Sequence, residues 1–218
     1  MSNELDVRMF TVGPVQENCY VVRRRNDPRA VIVDPGEEAD KLLSALDALG
    51  VQTLEAILLT HTHFDHVGAV APVARATGAR VYCPELETRV LANIMEYVPW
   101  PGFGPFESYE ADETVAGGET LELAGLSFEV TFTPGHSPGH VTYAVRDAQA
   151  LFSGDVLFEG SVGRVDLPGG DWPTLLASIE TLMSAYPESS TVYPGHMGVT
   201  TLARERATNP FLRELAQS

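Results

Sequence analysis

The pattern of apolar and polar positions at the start of the chain predicts three short strands and then a helix. The strand candidates are Val7 to Val12, Cys19 to Arg24 and Ala30 to Asp34, and turn residues separate them. Short apolar segments punctuated in this way are typical of a meander. The helix that follows should end at Gly50, because glycine commonly terminates helices. Its expected buried face consists of Leu42, Leu43, Leu46 and Leu49.

The middle of the chain continues with strands and helices in alternation. Leu54 to Thr60 is apolar enough for a buried strand. From Val67 the apolar residues recur at helical spacing as far as Gly78, which we expect to cap that helix. Arg80 to Cys83 predicts a short strand, and Glu85 to Val98 predicts one helix.

The second half of the chain has the same character. Strands are predicted at Leu126 to Thr133, at His140 to Val145, at Ala150 to Ser153 and at Thr191 to Tyr193. A long helix with an apolar stripe is predicted at Trp172 to Tyr186, where it would cover one face of a sheet. The chain has no linker or low-complexity segment, so we predict a single domain over residues 1–218.

Charge and composition narrow the classes of function. Thirty acidic residues against fourteen basic ones give a formal net charge of −16, and Lys41 is the one lysine. Nucleic-acid binding requires a basic surface, and the chain offers only Arg23-Arg24-Arg25, which we interpret as a solvated hairpin end. The N-terminus lacks the apolar core of a secretory signal, and no apolar segment is long enough to span a bilayer. We therefore expect a cytoplasmic protein that binds neither nucleic acid nor membranes.

The two cysteines support that compartment. Cys19 and Cys83 lie far apart within apolar strand candidates, and neither belongs to a Cys-x-x-Cys motif. We interpret both as buried, reduced thiols, which suits the cytoplasm.

The densest chemistry follows the strand candidate that ends at Thr60. His61, His63, Asp65 and His66 lie within six residues. In an extended chain His61 and His63 point the same way, because side chains two positions apart share a face. Asp65 and His66 fall in the turn into the next helix, where they would hold a second metal ion beside the first. Isolated histidines are usually structural, but four ligand-type side chains at this spacing favour a metal site.

Three later strand candidates each end in one more metal-ligand side chain. Pro-Gly turns precede His136 and His196, and Gly154 precedes Asp155. Seven nitrogen and oxygen ligands exceed the needs of one tetrahedral zinc ion, and they divide into two sets of three that share one carboxylate. The predicted ligands are His61, His63, Asp65, His66, His136, Asp155 and His196.

Two further polar residues invite interpretation. His140 lies four positions after His136 at the start of a predicted strand, and we interpret it as structural rather than as a ligand. Asp34 ends the third strand candidate, where it is either an ordinary turn aspartate or a residue that orients a ligand histidine.

The order of these motifs resembles that of the metallo-β-lactamase superfamily. The segment Gly163 to Gly170 (GRVDLPGG) and the ending Thr208 to Leu212 (TNPFL) further resemble the short glyoxalase II-like hydrolases. The resemblance implies an α/β fold of the four-layer αββα sandwich type. It also implies two divalent metal ions, most simply zinc, with iron or manganese as alternatives. One ion would bind His61, His63 and His136, the other would bind Asp65, His66 and His196, and Asp155 would bridge them.

The function implied by this resemblance is hydrolysis of a small-molecule thioester of the S-2-hydroxyacylglutathione type. A metal-bound hydroxide would attack the carbonyl, and Asp65 would orient that hydroxide as the catalytic residue. Arg164 matches a basic residue that contacts the thiol carrier in full-length glyoxalase II enzymes. Those enzymes have an aromatic residue where Asp166 stands and carry a C-terminal helical domain, whereas 22 residues follow His196. We therefore expect no separate C-terminal glutathione-binding domain.

Other functions remain open at this level. A persulfide dioxygenase of the same fold would bind one iron ion through His61, His136 and Asp155. A metal-binding domain without catalytic activity is disfavoured because each ligand position is filled. Hydrolysis of an ester or lactone is a variant of the first hypothesis. The sequence leaves the acyl group, the thiol carrier and the oligomeric state undetermined.

Overall fold

The computed structural model describes residues 4–98 and 100–212. The first part of the chain forms one six-stranded sheet in the order β1-β2-β3-β4-β5-β6. Strands β1 to β3 are antiparallel, as the predicted meander requires, and β3 to β6 are parallel. Its strands are β1 (Leu5–Val12), β2 (Glu17–Arg24), β3 (Arg29–Val33), β4 (Thr53–Leu58), β5 (Arg80–Pro84) and β6 (Glu113–Val115).

The rest of the chain forms a second six-stranded sheet and a small hairpin. The strands are β7 (Thr120–Leu123), β8 (Leu126–Phe132), β9 (Val141–Val145), β10 (Ala150–Gly154), β11 (Leu157–Phe158), β12 (Ser161–Val162), β13 (Thr191–Pro194) and β14 (Thr200–Thr201). The order in the second sheet is β14-β13-β10-β9-β8-β7, and β11 pairs with β12. Because β9 runs antiparallel to both β8 and β10, and β10 runs parallel to β13, the strands β8, β10 and β13 point the same way. Their C-terminal ends therefore meet at one edge.

Helices cover the outer faces of both sheets. They are α1 (Ala39–Ala48), α2 (Phe64–Val67), α3 (Val70–Thr77), α4 (Thr88–Ala92), α5 (Ile94–Tyr97), α6 (Trp172–Ala185) and α7 (Leu202–Thr208). The N-terminus of α6 is well defined, since the Asp171 side chain accepts a hydrogen bond from the Thr174 amide and Pro173 occupies the first turn.

Three apolar clusters bind these layers together. One packs Leu42 of α1 and Val73 of α3 against the outer face of the first sheet. A second, which includes Tyr20 and Phe152, fills the space between the two sheets. A third packs Ile179 of α6 and neighbouring residues on the outer face of the second sheet. The order helix, sheet, sheet, helix is the four-layer αββα sandwich that was expected.

Two predicted helices are interrupted. The prediction of one helix from Glu85 to Val98 is wrong, because a 3₁₀ turn leads into α4 and Asn93 separates α4 from α5. Asn93 has φ −139° and ψ 39°, which is not helical, and its side-chain amide donates to the Arg89 carbonyl. The helix expected from Val67 begins earlier, as α2, and breaks after Gly68. A Cβ at Gly68 would lie 2.4 Å from the Gly36 carbonyl oxygen, so glycine permits this close approach.

The arginine triplet and the cysteines are accounted for by local packing. Arg23 is buried and donates to Asp6 and to the Leu49 carbonyl, so the triplet is less solvated than expected. Cys19 and Cys83 are both buried and free, as predicted. Among the helices of the described part of the chain, none has the length and apolar content needed to cross a membrane.

Candidate metal centre

The predicted ligands come from strand ends in both sheets. His61 and His63 lie in the loop after β4, and Asp65 and His66 lie on the short helix α2. From the second sheet, His136 follows β8, while the other two ligands, Asp155 and His196, follow β10 and β13. Backbone hydrogen bonds hold the two sheets together at this edge, from the Val141 amide to the Thr60 carbonyl and from the Asn18 amide to the Gly195 carbonyl. All seven side chains consequently face one place.

Three imidazoles form the first group. The Nε2 atom of His136 lies 3.2 Å from His61 Nε2 and 2.8 Å from His63 Nδ1. His61 and His136 are buried and His63 is partly buried. Three ring nitrogens that converge in this way are the donor set that a divalent transition-metal ion prefers.

The second group contains Asp65, His66 and His196. Asp65 Oδ2 lies 3.3 Å from His196 Nε2 and 3.8 Å from His66 Nε2. Their ligand atoms all lie within 4.8 Å of one another. This mixed nitrogen and oxygen set suits zinc, iron or manganese.

Asp155 faces both groups. Its Oδ2 atom lies 3.5 Å from His136 Nε2 and 3.5 Å from His196 Nε2, while its Oδ1 atom lies 3.4 Å from His66 Nε2. A carboxylate in this position can contact two cations at once. Close packing maintains it, because a Cβ at Gly195 would lie 2.3 Å from Asp155 Oδ1. Glycine is therefore required beside the carboxylate.

Asp34 orients two of the histidines. It accepts hydrogen bonds from the Thr60 amide at 2.8 Å and from the Thr60 hydroxyl at 2.6 Å. Its Oδ2 atom also lies 3.1 Å from His66 Nδ1, so that nitrogen donates. Because the Thr60 hydroxyl is committed to Asp34, its oxygen accepts from His61 Nδ1 at 3.1 Å. Both rings thus present an Nε2 lone pair to the centre, and the orienting role is the one of the two interpretations of Asp34 that the geometry supports.

His136 is fixed in the same tautomer by different means. Its Nδ1 atom donates to the Arg164 carbonyl at 2.7 Å, which leaves Nε2 free to bind a cation.

His140 does not belong to the cluster: its Nε2 accepts from the Asp155 amide at 3.1 Å, and Nδ1 lies 3.0 Å from the Thr133 hydroxyl. Both ring nitrogens are used, which agrees with the structural interpretation of His140.

Glu87 joins two of the ligand loops, and nothing in its sequence context indicated this. Its buried carboxylate accepts from the Thr62 hydroxyl at 2.6 Å, from the Ser137 hydroxyl at 2.7 Å and from the Gly139 amide at 2.8 Å. Thr62 lies between His61 and His63, and Ser137 follows His136 directly. One side chain therefore connects the loops that carry all three imidazoles of the first group.

Glu17 is a second residue that the sequence did not reveal. Its carboxyl group is buried with Oε1 3.8 Å from His66 Nδ1, and neither oxygen has a hydrogen-bond partner within residues 4–98 and 100–212. Burial raises the pKa of Glu17 well above its ordinary value. Nothing in the sequence indicated it, because Glu17 lies two positions before the predicted strand Cys19 to Arg24, and only the structure places it in β2 beside His66.

The electrostatics of the cluster favour bound cations. Burial lowers the pKa of His61 well below its ordinary value and that of His63 to about 4, so these imidazoles keep their lone pairs at neutral pH. Burial alone would raise the pKa of Asp155, but His66 and His196 outweigh it and hold that pKa well below its usual range. Burial would lower the pKa of His66 and His196 as well, but Asp155 and Asp65 outweigh it and raise both. Neutral imidazoles and ionised carboxylates are the forms that bind metal, so an ion bound by His66 and His196 takes the place of a proton there.

Two unpartnered atoms test whether metal ions fit here. His66 Nε2 and Asp155 Oδ1 are fully buried and lie 3.4 Å from each other, yet neither makes a hydrogen bond with any residue that the structure describes. Leaving such atoms unsatisfied costs about 1–3 kcal/mol each. Both point at the centre of the ligand set, where cations would satisfy them. The residues present therefore fit two divalent metal ions.

A cleft of about 510 Å³ opens onto the cluster. His63, Asp65, His136, Asp155 and His196 line its floor. Arg164, for which the resemblance implied a substrate contact, lies on its wall with its guanidinium 5.6 Å from the centre of the Trp100 ring. The cleft gives a small molecule direct access to the metal-binding atoms.

Comparison with known proteins agrees with this geometry. The profile of the metallo-beta-lactamase superfamily matches residues 12–196. The chain is 40% identical to the probable metallo-hydrolase YqgX of Bacillus subtilis (strain 168), over 94% of this chain and 96% of that protein. It is 33% identical to hydroxyacylglutathione hydrolase GloC of Haemophilus influenzae, over 95% of this chain and 98% of that protein.

Solved structures give the same result. The BLEG-1 B3 metallo-beta-lactamase superposes with a TM-score of 0.89 at 40% identity, covering 95% of this chain and 100% of that chain. TTHA1623, solved in a di-iron-bound form, gives a TM-score of 0.83 at 42% identity, covering 94% of this chain and 100% of that chain. The fold and the ligand cluster together define a metallo-hydrolase. The chain belongs to the metallo-beta-lactamase superfamily.

Proposed function

We propose that this protein is a binuclear metal-dependent hydrolase that cleaves thioesters of the S-2-hydroxyacylglutathione type. The observation that carries the proposal is Asp155, whose two oxygens face His66 on one side and both His136 and His196 on the other. A single carboxylate between two complete ligand groups suits a pair of ions better than one. The likeness to GloC supports a thioester as the substrate.

The metal assignment follows the two groups of side chains. His61, His63 and His136 would hold one ion, Asp65, His66 and His196 would hold the other, and Asp155 would bridge them. Zinc is the simplest assignment for this donor set, and the di-iron form of TTHA1623 makes iron an alternative. When bound, the ions lower the pKa of coordinated water and neutralise negative charge that develops on a carbonyl oxygen.

The protein's own groups orient the reactants. Hydrogen bonds to His196 and attraction to His66 outweigh burial and lower the pKa of Asp65, so its carboxylate is ionised at neutral pH. The Asp65 carboxylate lines the cleft and can accept a hydrogen bond from the attacking water. This bond would fix the direction in which the oxygen lone pair of that water points. The leaving thiolate is stable enough at neutral pH to depart without a strong general acid, so this mechanism requires no further proton donor.

A paired measurement of metal content and turnover tests this function. We expect purified protein to contain two metal ions per chain and to hydrolyse S-lactoylglutathione without consuming oxygen. Nitrocefin and glutathione persulfide should be turned over far more slowly. One iron per chain with oxygen uptake on glutathione persulfide would instead establish the dioxygenase.

A matched pair of variants removes ambiguity about the source of the activity. Asp155→Asn should lower the metal content to one ion or fewer and abolish thioester hydrolysis. Asp147→Asn makes the same charge change at an exposed residue that pairs with Arg24, and it should behave like the unmodified protein. Full activity of Asp155→Asn would refute the bridging role.

A further inference from the structure

We infer that the cleft selects thioesters by the group that lies in it, and that it favours an apolar, uncharged group. This group is either the acyl chain or the thiol carrier, and both are called an arm of the thioester below. This inference rests on the proposed thioester hydrolysis and narrows its substrate. Among the thioesters that the centre can cleave, those that place hydrocarbon in the cleft should react faster than those that place a carboxylate there. Two independent observations lead to it, the exposed apolar wall and the pairing of Arg164.

The wall of the cleft exposes large apolar side chains to solvent. Leu86 is 65% exposed, Met197 55%, and Tyr97 and Trp100 41% each, and all four line this one cleft. Exposed apolar residues scattered singly are ordinary, but several around one concave surface mark a binding site. A hydrocarbon arm lying against them would remove this surface from water.

The one cationic side chain on the wall of the cleft is already paired. Arg164 is the only lysine or arginine among the described residues that line it. Its Nε and one terminal nitrogen donate to the two oxygens of Asp166 at 2.6 and 2.7 Å. A substrate carboxylate that approached Arg164 would have to compete with this bidentate partner.

One aromatic ring lies beside the paired guanidinium. The guanidinium carbon of Arg164 is 5.6 Å from the centre of the Trp100 ring, within the range of a cation–π contact, while its nitrogens donate to Asp166. Asp166 is exposed and the hydrogen bonds to Arg164 lower its pKa to about 2, so it remains ionised throughout the neutral range. Asp166 thus sets the charge that an incoming substrate meets.

The first experiment measures kcat/KM of the metal-loaded protein for two series of thioesters. One series lengthens the acyl group from acetyl to hexanoyl on N-acetylcysteamine, a small neutral thiol. The other keeps the acyl group constant and lengthens an alkyl thiol from ethyl to hexyl, with glutathione as the charged comparison. We expect kcat/KM to rise about twofold to fourfold per methylene on the arm that occupies the cleft. The series that shows the rise identifies that arm.

The second experiment tests the charge with matched variants. Asp166→Asn should raise kcat/KM for S-lactoylglutathione by about threefold to tenfold and leave neutral thioesters unaffected, since it frees Arg164 for a carboxylate. Asp147→Asn changes the net charge equally away from the cleft, so it should alter neither substrate class. An Asp166→Asn variant with unchanged substrate preference would overturn the role of Asp166.

A third pair of variants tests the apolar wall. Leu86→Ser should flatten the dependence on chain length, whereas Met9→Ser, at an exposed position on β1, should preserve it. If the unmodified protein cleaves thioesters but shows no rise with chain length and prefers glutathione conjugates, the inference fails and the proposed function stands. If it cleaves no thioester of either series, the proposed function itself fails.

Discussion

Replacing Glu87 should weaken the metal centre without touching any metal ligand. The carboxylate accepts three hydrogen bonds, from the Thr62 and Ser137 hydroxyls and from the Gly139 amide. In Glu87→Ala these donors lose their acceptor at a buried position. The cost is about 1–3 kcal/mol per donor. Because Glu87 lines the cleft, water can enter, and the low end of that range gives about 3 kcal/mol in total.

The glutamine variant separates geometry from charge. Oε1 accepts from both Ser137 and Gly139, while Oε2 accepts from Thr62 alone. An amide oxygen at the first position preserves two bonds, and the amide nitrogen can donate to the Thr62 hydroxyl instead. Glu87→Gln should therefore keep the loops in place and lose only the charge-assisted part of the bonds, about 1 kcal/mol.

Thermal unfolding and metal competition measure both consequences. In a domain of this length 1 kcal/mol corresponds to about 2–4 °C in Tm, so Glu87→Ala should unfold about 6–12 °C lower. In competition with a chelator, Glu87→Ala should also bind the ion held by His61, His63 and His136 about tenfold to one-hundredfold more weakly. The reason is that the loops carrying these histidines lose the carboxylate that joins them. Glu87→Gln should lie near the unmodified protein in both measurements.

Glu85 supplies the control, because it is an exposed glutamate two positions before Glu87. Glu85→Ala should match the unmodified protein in Tm and in metal affinity. Two results would refute the reasoning. Unchanged Tm in Glu87→Ala would show that the hydrogen bonds contribute nothing, and lowered Tm with unchanged metal affinity would show that Glu87 stabilises the fold without positioning the histidines.

Three further predictions concern single side chains. Asp34→Asn should weaken the second ion about tenfold or more, because an amide nitrogen cannot accept from His66 Nδ1; unchanged chelator competition would contradict this. Burial lowers the pKa of His140 well below its ordinary value. Nitrogen NMR of the metal-free protein should accordingly show a neutral ring with its proton on Nδ1 from pH 8 to 5.5, and a midpoint near 6.5 would count against it. Arg164→Ala should raise KM for carboxylate-bearing thioesters by a modest factor with metal content intact, because the guanidinium is shared with Asp166; an unaltered KM would show that Arg164 makes no substrate contact.

The sequence by itself determined the chemistry of the centre. Imidazoles two positions apart share a face where the chain stays extended, and a Pro-Gly pair favours a turn that ends the strand before His136 and before His196. Ligand type and local spacing are properties of a few adjacent residues. For that reason they predict metal binding without knowledge of distant contacts. The alternation of apolar segments similarly predicted most strands, and the resemblance in motif order supplied the sandwich.

Tertiary structure decided which of these residues act together and what supports them. The position of Asp155 between two ligand groups depends on β10 lying parallel to β13 at the edge where the first sheet delivers His66. In the sequence Glu87 is an ordinary polar residue of a predicted helix, and only the structure, where it lies in the 3₁₀ turn before α4, shows its contacts with both loops. Local patterns fix the type of a ligand, but hydrogen bonds between residues tens of positions apart exist only in the folded chain, and the bond from Ser137 to Glu87 exists only once the two sheets have packed together.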